Sequence, residues 1–395
     1  MNIELHVIQN FAPANLNRND TGTPKDCDFG GFRRARISSQ CFKRAMREYF
    51  GEKSLLASNR AVRTKRILEA IQDILVPEGK DKDEVQVVVK NALASQKIAI
   101  KDDGKSQYLI FVGRAAIENL AKVLKNDNVW DGLLGMGKAA EPTEETSKKG
   151  KKKKAAGAIP EDIKAEVNDA VDQLLSTGTT ADIALFGRML ADIPGQNVDA
   201  ACQVAHAIST NKVNMEFDFY TAVDDLNPAE ETGAGMMGVI EFNSSCFYRY
   251  ANIDLEQLKK NLNGDEALCR ETLAAFVEAT INAIPTGKQK SMAAQNPPSF
   301  VMAVLRDDNL WSLANAFEKP VRPTERDGLV DLSIKKLVEY WGSLCKVYGT
   351  PENATVFCSG TNTIAITPEL GFEVKDTYKS LIKAVADQAV FAKST

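Results

Sequence analysis

A chain of 395 residues with a formal charge of −4, 44% hydrophobic and 26% charged residues, is long enough for more than one domain and for a substantial core. No apolar run reaches transmembrane length, and the opening MNIELHVIQN carries Glu4 and alternates like a strand, so a cytoplasmic protein with no membrane partner is expected. Seven cysteines without a C-x-x-C pair argue against a disulfide framework and zinc spacing, and two histidines, His6 and His206, leave little for His-based catalysis; both read as structural.

The first expected elements are a strand over 2–10, a polar loop over 14–28, a short strand over 32–37 and a helix from about Ser39. On that helix Phe42, Ala45, Met46, Tyr49 and Phe50 form one apolar stripe. Between Lys25 and Arg47 seven Lys/Arg stand against two Asp, a net +5, so the remainder carries −9. Segregated positive charge of this kind predicts a phosphate-binding surface.

Residues 54–208 show helical periodicity in stretches such as AVRTKRILEAIQDIL and AIENLAKVLKN and read as a large helical insertion. Within it, over 140–160, an acidic run precedes six lysines in the seven positions 148–154, a composition that cannot build a core; a solubilising linker is preferred over a nucleic-acid contact. In MEFDFYTAVDDL, Met215, Phe217, Phe219, Thr221 and Val223 alternate with mostly polar residues, and a second strand-like run, MMGVIEFNSSCFYRYANI, follows a turn-rich stretch, predicting a long hairpin. A helix over 266–284, a polar loop PTGKQKS, a strand over 300–305 and helices over 332–348 and 377–391 complete the chain. The order suits an α+β, ferredoxin-like sheet carrying two protrusions.

Catalytic signals are weak. GLLGMGKAA has Gly132, Gly137 and Lys138 at phosphate-loop spacing, but Ala139 stands where the motif needs Ser or Thr. Asp182, Asp192, Asp224 and Asp225 lack a base or metal partner at diagnostic spacing, and no cofactor or metal is expected. Asp20 or Asp26 is the loop carboxylate open to metal-dependent RNA cleavage, though loop Asp residues are more often turn formers.

The basic segment has the better physics. Gln40, Lys43 and Arg47 share one outward helical line, Ser38 and Ser39 open the helix where free N–H groups attract phosphate, and Gly30 and Gly31 let the chain turn and approach a ligand closely. Arg34 is counted with this RNA-contacting set; the bland reading is a helix cap at Ser38 or Ser39 and surface ion pairs for Arg33, Arg34 and Arg36.

The stretch LNRNDTGTPKDCDFGGFRRARISSQCFKRAMR resembles the N-terminal signature of the CasC-type backbone subunit of Cascade, the type I-E CRISPR surveillance complex, within the RAMP superfamily. DIALFGRML, AHAIST, DFYTAVDDL, FYRYANI and LANAFEKP resemble further segments of that family in the same order, while the lysine-rich run departs from it. The resemblance implies an RRM-like palm over 1–53 and 246–395, a helical fingers domain inserted over 54–208 and a β-hairpin thumb over 209–245. It implies a subunit that polymerises head to tail along a CRISPR RNA. Arg18, Lys25, Ser38, Gln40 and Lys43 match backbone-binding positions, with Arg47 basic as in relatives. Met189 matches a finger methionine wedged against guide bases, Phe219, Thr221 and Met237 fall at thumb positions pressing on the guide–target hybrid, and Lys288 and Lys290 lie in a basic loop. From residues alone, Met189 reads as a core methionine and Phe219 as hairpin packing.

The function expected is a non-catalytic RNA-binding backbone subunit in antiviral defence. Its partners would be CRISPR RNA, target DNA through the guide, further copies of itself, other Cascade subunits and, indirectly, a recruited nuclease-helicase. The rivals are a metal-dependent endoribonuclease backbone subunit of a type III-like complex using Asp20 or Asp26, and a free-standing single-strand RNA-binding module.

Overall fold

The computed structural model describes residues 1–53, 60–138, 161–175, 180–190, 193–223, 234–351, 354–361 and 371–391. The chain opens with β1 (Asn2–Ala14), β2 (Asp26–Phe29), β3 (Phe32–Ile37) and α1 (Ser39–Lys53). Then come β4 (Ala61–Thr64), α2 (Ile67–Leu75), α3 (Lys82–Ala94), β5 (Ile110–Gly113), α4 (Arg114–Leu124), α5 (Asp127–Lys138), α6 (Glu161–Leu175) and α7 (Ala181–Phe186). Strands β6 (Cys202–Val204), β7 (Ala207–Ser209), β8 (Glu216–Val223) and β9 (Ala234–Asp254) lead to α8 (Leu255–Asn261), α9 (Glu266–Asn282) and α10 (Gln289–Met292). The chain closes with β10 (Phe300–Arg306), α11 (Leu329–Tyr348), β11 (Thr355–Gly360), β12 (Phe372–Val374) and α12 (Tyr378–Gln388).

Two compact units result: Met1–Leu55 with Ala201–Lys259 and Cys269–Thr395, and Leu56–Ala200 with Lys260–Leu268. Residues 201–208 join the first unit because β6 and β7 pair with β9. Its sheet runs β12-β11-β10-β1-β9-β7-β3-β2. β1 is the centre: Asn2 to Ile8 faces Arg306 to Phe300 on one side, and Asn2 to Phe11 faces Asp254 to Ser245 on the other, all antiparallel. With α1 after β1 and α9 between β9 and β10, the central order β10-β1-β9-β7 is that of an RRM-like palm in an α+β chain.

Both faces of this centre are covered. On one, Ile8, Tyr248, Phe300, Met302 and Val304 bury against Leu337 and Trp341 of α11. On the other, the Arg249 guanidinium lies 4.2 Å over the Phe42 ring of α1 and donates to the Thr280 carbonyl of α9 at 2.5 Å. His6 is buried beside Tyr248, its Nδ1 2.9 Å from the phenol, and burial brings its pKa down to about 3, so it stays neutral. The apolar stripe expected on α1 is there: Phe42, Ala45, Met46 and Phe50 are buried, and Tyr49 donates to Glu278 at 2.9 Å.

Three departures from the sequence expectations have physical causes. Part of the expected polar loop is β2, joined to β3 through Gly30 and Gly31 at φ +61° and +78°, the left-handed pair a two-residue hairpin turn needs. The close approach at Gly30 is to the chain itself, since a Cβ there would lie 2.2 Å from the Glu318 carbonyl oxygen. The periodic run from Ala61 is helical only from Ile67; Ala61–Thr64 pairs with Ile110–Gly113, tertiary pairing overriding local periodicity. And Arg34 is not on the surface: it is fully buried, its Nη1 donating to Ser209 and Thr210 carbonyls (2.8 and 3.0 Å) and its Nη2 to those of Phe317 and Glu318 (2.6 and 3.0 Å). The expectation that Arg34 contacts RNA is therefore corrected; its fork staples two loops of the palm.

The second unit is built on α2 to α6, whose Ile71, Val88, Leu120, Leu133 and Val171 meet in one buried cluster. Asp81 caps α3 by accepting from the N–H groups of Asp83 and Glu84.

Removing the Arg34 fork takes a donor from three buried carbonyls and one partly buried one, of which that of Thr210 still accepts from the Val321 N–H, so Arg34→Met is expected to destabilise the RNA-free protein by about 3 kcal/mol. Thermal unfolding of the purified variant checks this, and Arg34→Lys should rescue little because one ammonium cannot reproduce the planar fork.

Candidate nucleic-acid interface

Three short asparagine-centred networks shape the loop between β1 and β2. Asn15 Nδ2 donates to the carbonyls of Gly22 and Glu241 at 3.0 and 2.9 Å. Asn17 Oδ1 accepts from the Ser38 N–H at 2.8 Å, while its carbonyl accepts from Lys25 at 2.8 Å. Asn19 Oδ1 accepts from the N–H groups of Thr21 and Thr23. The loop carrying Arg18 and Lys25 is thus tied to the start of α1. On the other side Gly287 packs so closely on Leu16 that a Cβ would lie 2.3 Å from its carbonyl oxygen.

These ties bring Arg18, Lys25, Ser38 and the 285–288 turn together around residues 15–17; the expected polar loop ends there, since Lys288 caps α10 and Lys290 lies within it. A groove of about 490 Å³ opens there, lined by Arg18, Asn19, Asp20, Arg44, Glu48 and Thr286 among others. Arg18, Gln40 and Lys290 are exposed, and Lys25, Lys43, Arg47 and Lys288 half-buried. Ser38 is buried, its hydroxyl accepting from the Cys41 N–H at 3.3 Å as the helix cap. The basic segment thus divides: Arg33 is held by Asp26 and Asp28, Arg44 by Glu48 and Arg34 by the interior; on α1 the groove is lined by Cys41, Arg44, Ala45 and Glu48, with Lys43 and Arg47 on the neighbouring helical line.

The hairpin β8–β9 puts Thr221 opposite Met237, Phe219 opposite Val239 and Phe217 opposite Glu241, so the three expected thumb residues share one face. That face is not packed as hairpin core. Phe219 is 62% and Met237 67% exposed, and Phe217 and Val239 are exposed with them. Sequence reading missed Phe217 and Val239 as members of this set, although the strict alternation contained Phe217. On the reverse side the Tyr220 ring covers Gly238, so closely that a Cβ there would sit 2.5 Å from it and the ring would have to shift.

Met189, in the second unit, is 84% exposed between two anchored neighbours. Arg188 is buried and donates to the carbonyls of Phe111, Leu175 and Gln196; burial lowers its pKa to about 10, still cationic near neutral pH. Leu190 is buried, its N–H donating to Asn197 Oδ1 at 2.5 Å. Gly187 at φ +76° backs onto the Val198 carbonyl and admits no Cβ. The chain therefore holds the methionine out, and the core placement read from residues alone does not hold.

The carboxylates separate as well. Asp26 accepts a bidentate pair from Arg33 Nε and Nη2, both at 2.8 Å, and Asp182 is buried and accepts from the Ala61 N–H at 2.8 Å. Asp20 is exposed at the rim of the groove. Among the described residues no three His, Cys, Asp or Glu stand together as metal ligands. The stretch from Gly132 to Lys138 lies inside α5 rather than in a phosphate-cradling loop. Asp192, Asp224, Asp225 and the lysines of 148–154 lie outside the described residues, and no helix among those described is long and apolar enough to cross a membrane.

Comparison with known proteins bears on this arrangement. One solved structure, titled a CRISPR RNA-guided surveillance complex, pre-nicking, contains a chain that matches at 30% identity and a TM-score of 0.84, over 99% of this chain and 100% of that one. Another, titled a CRISPR RNA-guided surveillance complex, matches at 26% identity and 0.74, over 98% and 100%. No curated protein sequence matches. The family model described as CT1975-like protein matches residues 3–386, which upholds along the chain the resemblance seen in the sequence; the chain belongs to the CT1975-like protein family.

Proposed function

We propose that this protein is a CRISPR RNA-binding structural subunit of a Cascade-type surveillance complex. Copies of it polymerise head to tail along the guide, other Cascade subunits join them, and the assembly supports hybrid formation between guide and target DNA. The observation that carries the reading is the pair of apolar presentations, Met189 and the Phe217, Phe219, Met237, Val239 face, left exposed by anchored backbone in a chain similar from end to end to surveillance-complex chains. Apolar side chains beside unstacked bases are a general means of shaping a nucleic-acid strand.

The loop and α1 supply the other half. Arg18, Lys25, Gln40, Lys43, Arg47, Lys288 and Lys290 would hold the guide's phosphates, and the buried Ser38 would act through the helix opening it caps. Phosphate contacts of this kind carry no sequence information, so specificity passes to base pairing. The covered palm sheet favours this over a free-standing module that stacks bases on an open sheet face. The lysines of 148–154 would add contact with target or displaced DNA.

Four outcomes test the proposal. Lys43→Ala with Arg47→Ala should weaken RNA retention and flatten the dependence of log affinity on log salt by roughly 0.7 for each phosphate no longer neutralised, measured by filter binding across a salt series; unchanged retention counts against this surface. Met189→Ala, and separately Phe219→Ala with Met237→Ala, should leave the stability of the RNA-free protein within about 0.5 kcal/mol of wild type in thermal unfolding, because these side chains are exposed. In the assembled complex the same variants should even out the periodic pattern of guide-base reactivity to chemical probes. Complementary RNA incubated with the assembly and magnesium should stay intact; periodic cleavage abolished by Asp20→Ala would replace the proposal with the endoribonuclease reading.

A further inference from the structure

A second charged cluster stands beside this surface. Arg36 Nη1 lies 2.9 Å from His206 Nδ1. In the ladder between β3 and β7, Arg36 is paired with Ile208 and Ile37 with Ala207, so His206 continues the same register one step on, beside Ser38. On the other side the Arg36 N–H donates to the Lys25 carbonyl at 2.9 Å and its Nε to the Asp26 carbonyl at 3.2 Å. Cross-strand neighbours stand on one face of a sheet. Lys25, Arg36 and His206 therefore form a row over three adjacent strand lines, leading to the first turn of α1.

The hydrogen bond fixes the proton inventory. A guanidinium only donates, so His206 Nδ1 accepts and the neutral ring carries its proton on Nε2. His206 is exposed and Arg36 half-buried. Burial first, then the charges of Arg36 and Lys25, hold His206 below the ordinary histidine value, so the ring is neutral in the free protein near neutral pH. The other charged groups on the surrounding elements do not reverse this. Asp26 and Asp28 on β2 are held by Arg33, Lys43 on α1 is a further cation whose charge reaches Cys202 on β6, and β9 meets the segment through the Tyr250 carbonyl, which accepts from Ala205.

Resting on the RNA-binding reading, the geometry points to a proton-linked phosphate subsite made by Lys25, Arg36 and His206. An RNA phosphodiester entering the row draws Arg36 Nη1 off His206 and accepts from both side chains, while Nδ1 takes a proton from solvent. No covalent bond changes. The arrangement is a two-state element: in the free protein Arg36 and His206 satisfy each other, and with phosphate present both turn to the ligand.

The sign follows from linkage. An anion favours the protonated ring, so the pKa of His206 is higher in the complex than in the free protein, and each bound copy takes up a fraction of a proton. Affinity rises as pH falls through the bound-state pKa and levels off below the free-state one, which lies under 6.5.

The test uses full-length protein and a labelled single-stranded RNA oligonucleotide at constant ionic strength, at about pH 7.5 and about pH 5.5, the range in which histidine titrates. Proton uptake is read by calorimetry in buffers of different ionisation enthalpy. Wild type should bind more tightly at the lower pH, by up to about tenfold per unit of pKa difference between complex and free protein, with measurable proton uptake. His206→Gln, which can still accept from Arg36 but cannot protonate, should lose most of that gain and most of the uptake. Arg36→Gln should weaken binding at both pH values. If His206→Gln keeps the wild-type gain and uptake, or if wild-type affinity does not change with pH, the subsite is wrong while the RNA-binding reading stands. If the folded wild-type protein binds no RNA at either pH, both fall.

Discussion

β9 is the element on which palm and thumb alike depend. It is one strand of 21 residues, about 70 Å at a rise near 3.4 Å per residue. Ala234 to Phe242 pair with β8, and from Asn243 onward the strand pairs with β1, β6 and β7 in the middle of the palm. A two-stranded ribbon in water is marginal by itself. This one is anchored because its long strand ends in residues such as Cys246, Tyr248 and Ile253 that are wholly or almost wholly buried. The palm core therefore bears the cost of ordering the thumb, and among the described residues Phe217, Phe219, Met237 and Val239 stay exposed.

That division also explains which parts of the molecule were legible in the sequence. Period-two alternation in MEFDFYTAV announces a strand with an apolar face, and the strand is there. Alternation carries no information about whether the face is covered, because the local pattern of a core strand and of an extended wedge is the same. Met189 has the same ambiguity, resolved only by the long-range ties of Arg188 to Phe111 and Leu175. The helix α1 was legible in full, since a 3.6-residue stripe is a local property. The strands β4, β11 and β12 were not, being short and made by pairing with partners remote in sequence, nor was β2, which is only four residues long although it pairs with the adjacent β3.

Arginine was the residue most easily misread. Arg34, Arg188, Arg249 and Arg306 are all buried, and each spends its guanidinium on main-chain carbonyls or side chains from segments remote in sequence. Arg306 meets Glu4 inside the palm at 3.4 Å, where burial raises the carboxyl's pKa against the opposing pull of Tyr250, Trp311 and Arg306. A run such as FRRARI looks like one cationic surface, yet successive residues point to opposite faces of β3, and even Arg34 and Arg36, which share a face, meet different fates. Arg33 turns to Asp26 and Asp28, Arg34 enters the core, and Arg36 stands beside His206. The charge excess of the segment was real, but the interior and ion pairs take up part of it.

The asparagines are the converse case. In the sequence the polarity of Asn15, Asn17 and Asn19 says only that a loop is present. In the structure they set where the cations stand: Asn17 alone joins the loop to the first N–H of the Ser38 opening and to Lys25. Positioning by neutral amides has a physical advantage at a polyanion surface. An ion pair that held the loop in place would be weakened by the arriving phosphates and would consume a cation needed for them, whereas an amide hydrogen bond is nearly indifferent to both. A mildly acidic chain can in this way hold a small set of cations in place on a scaffold that is itself insensitive to negative charge brought up to them.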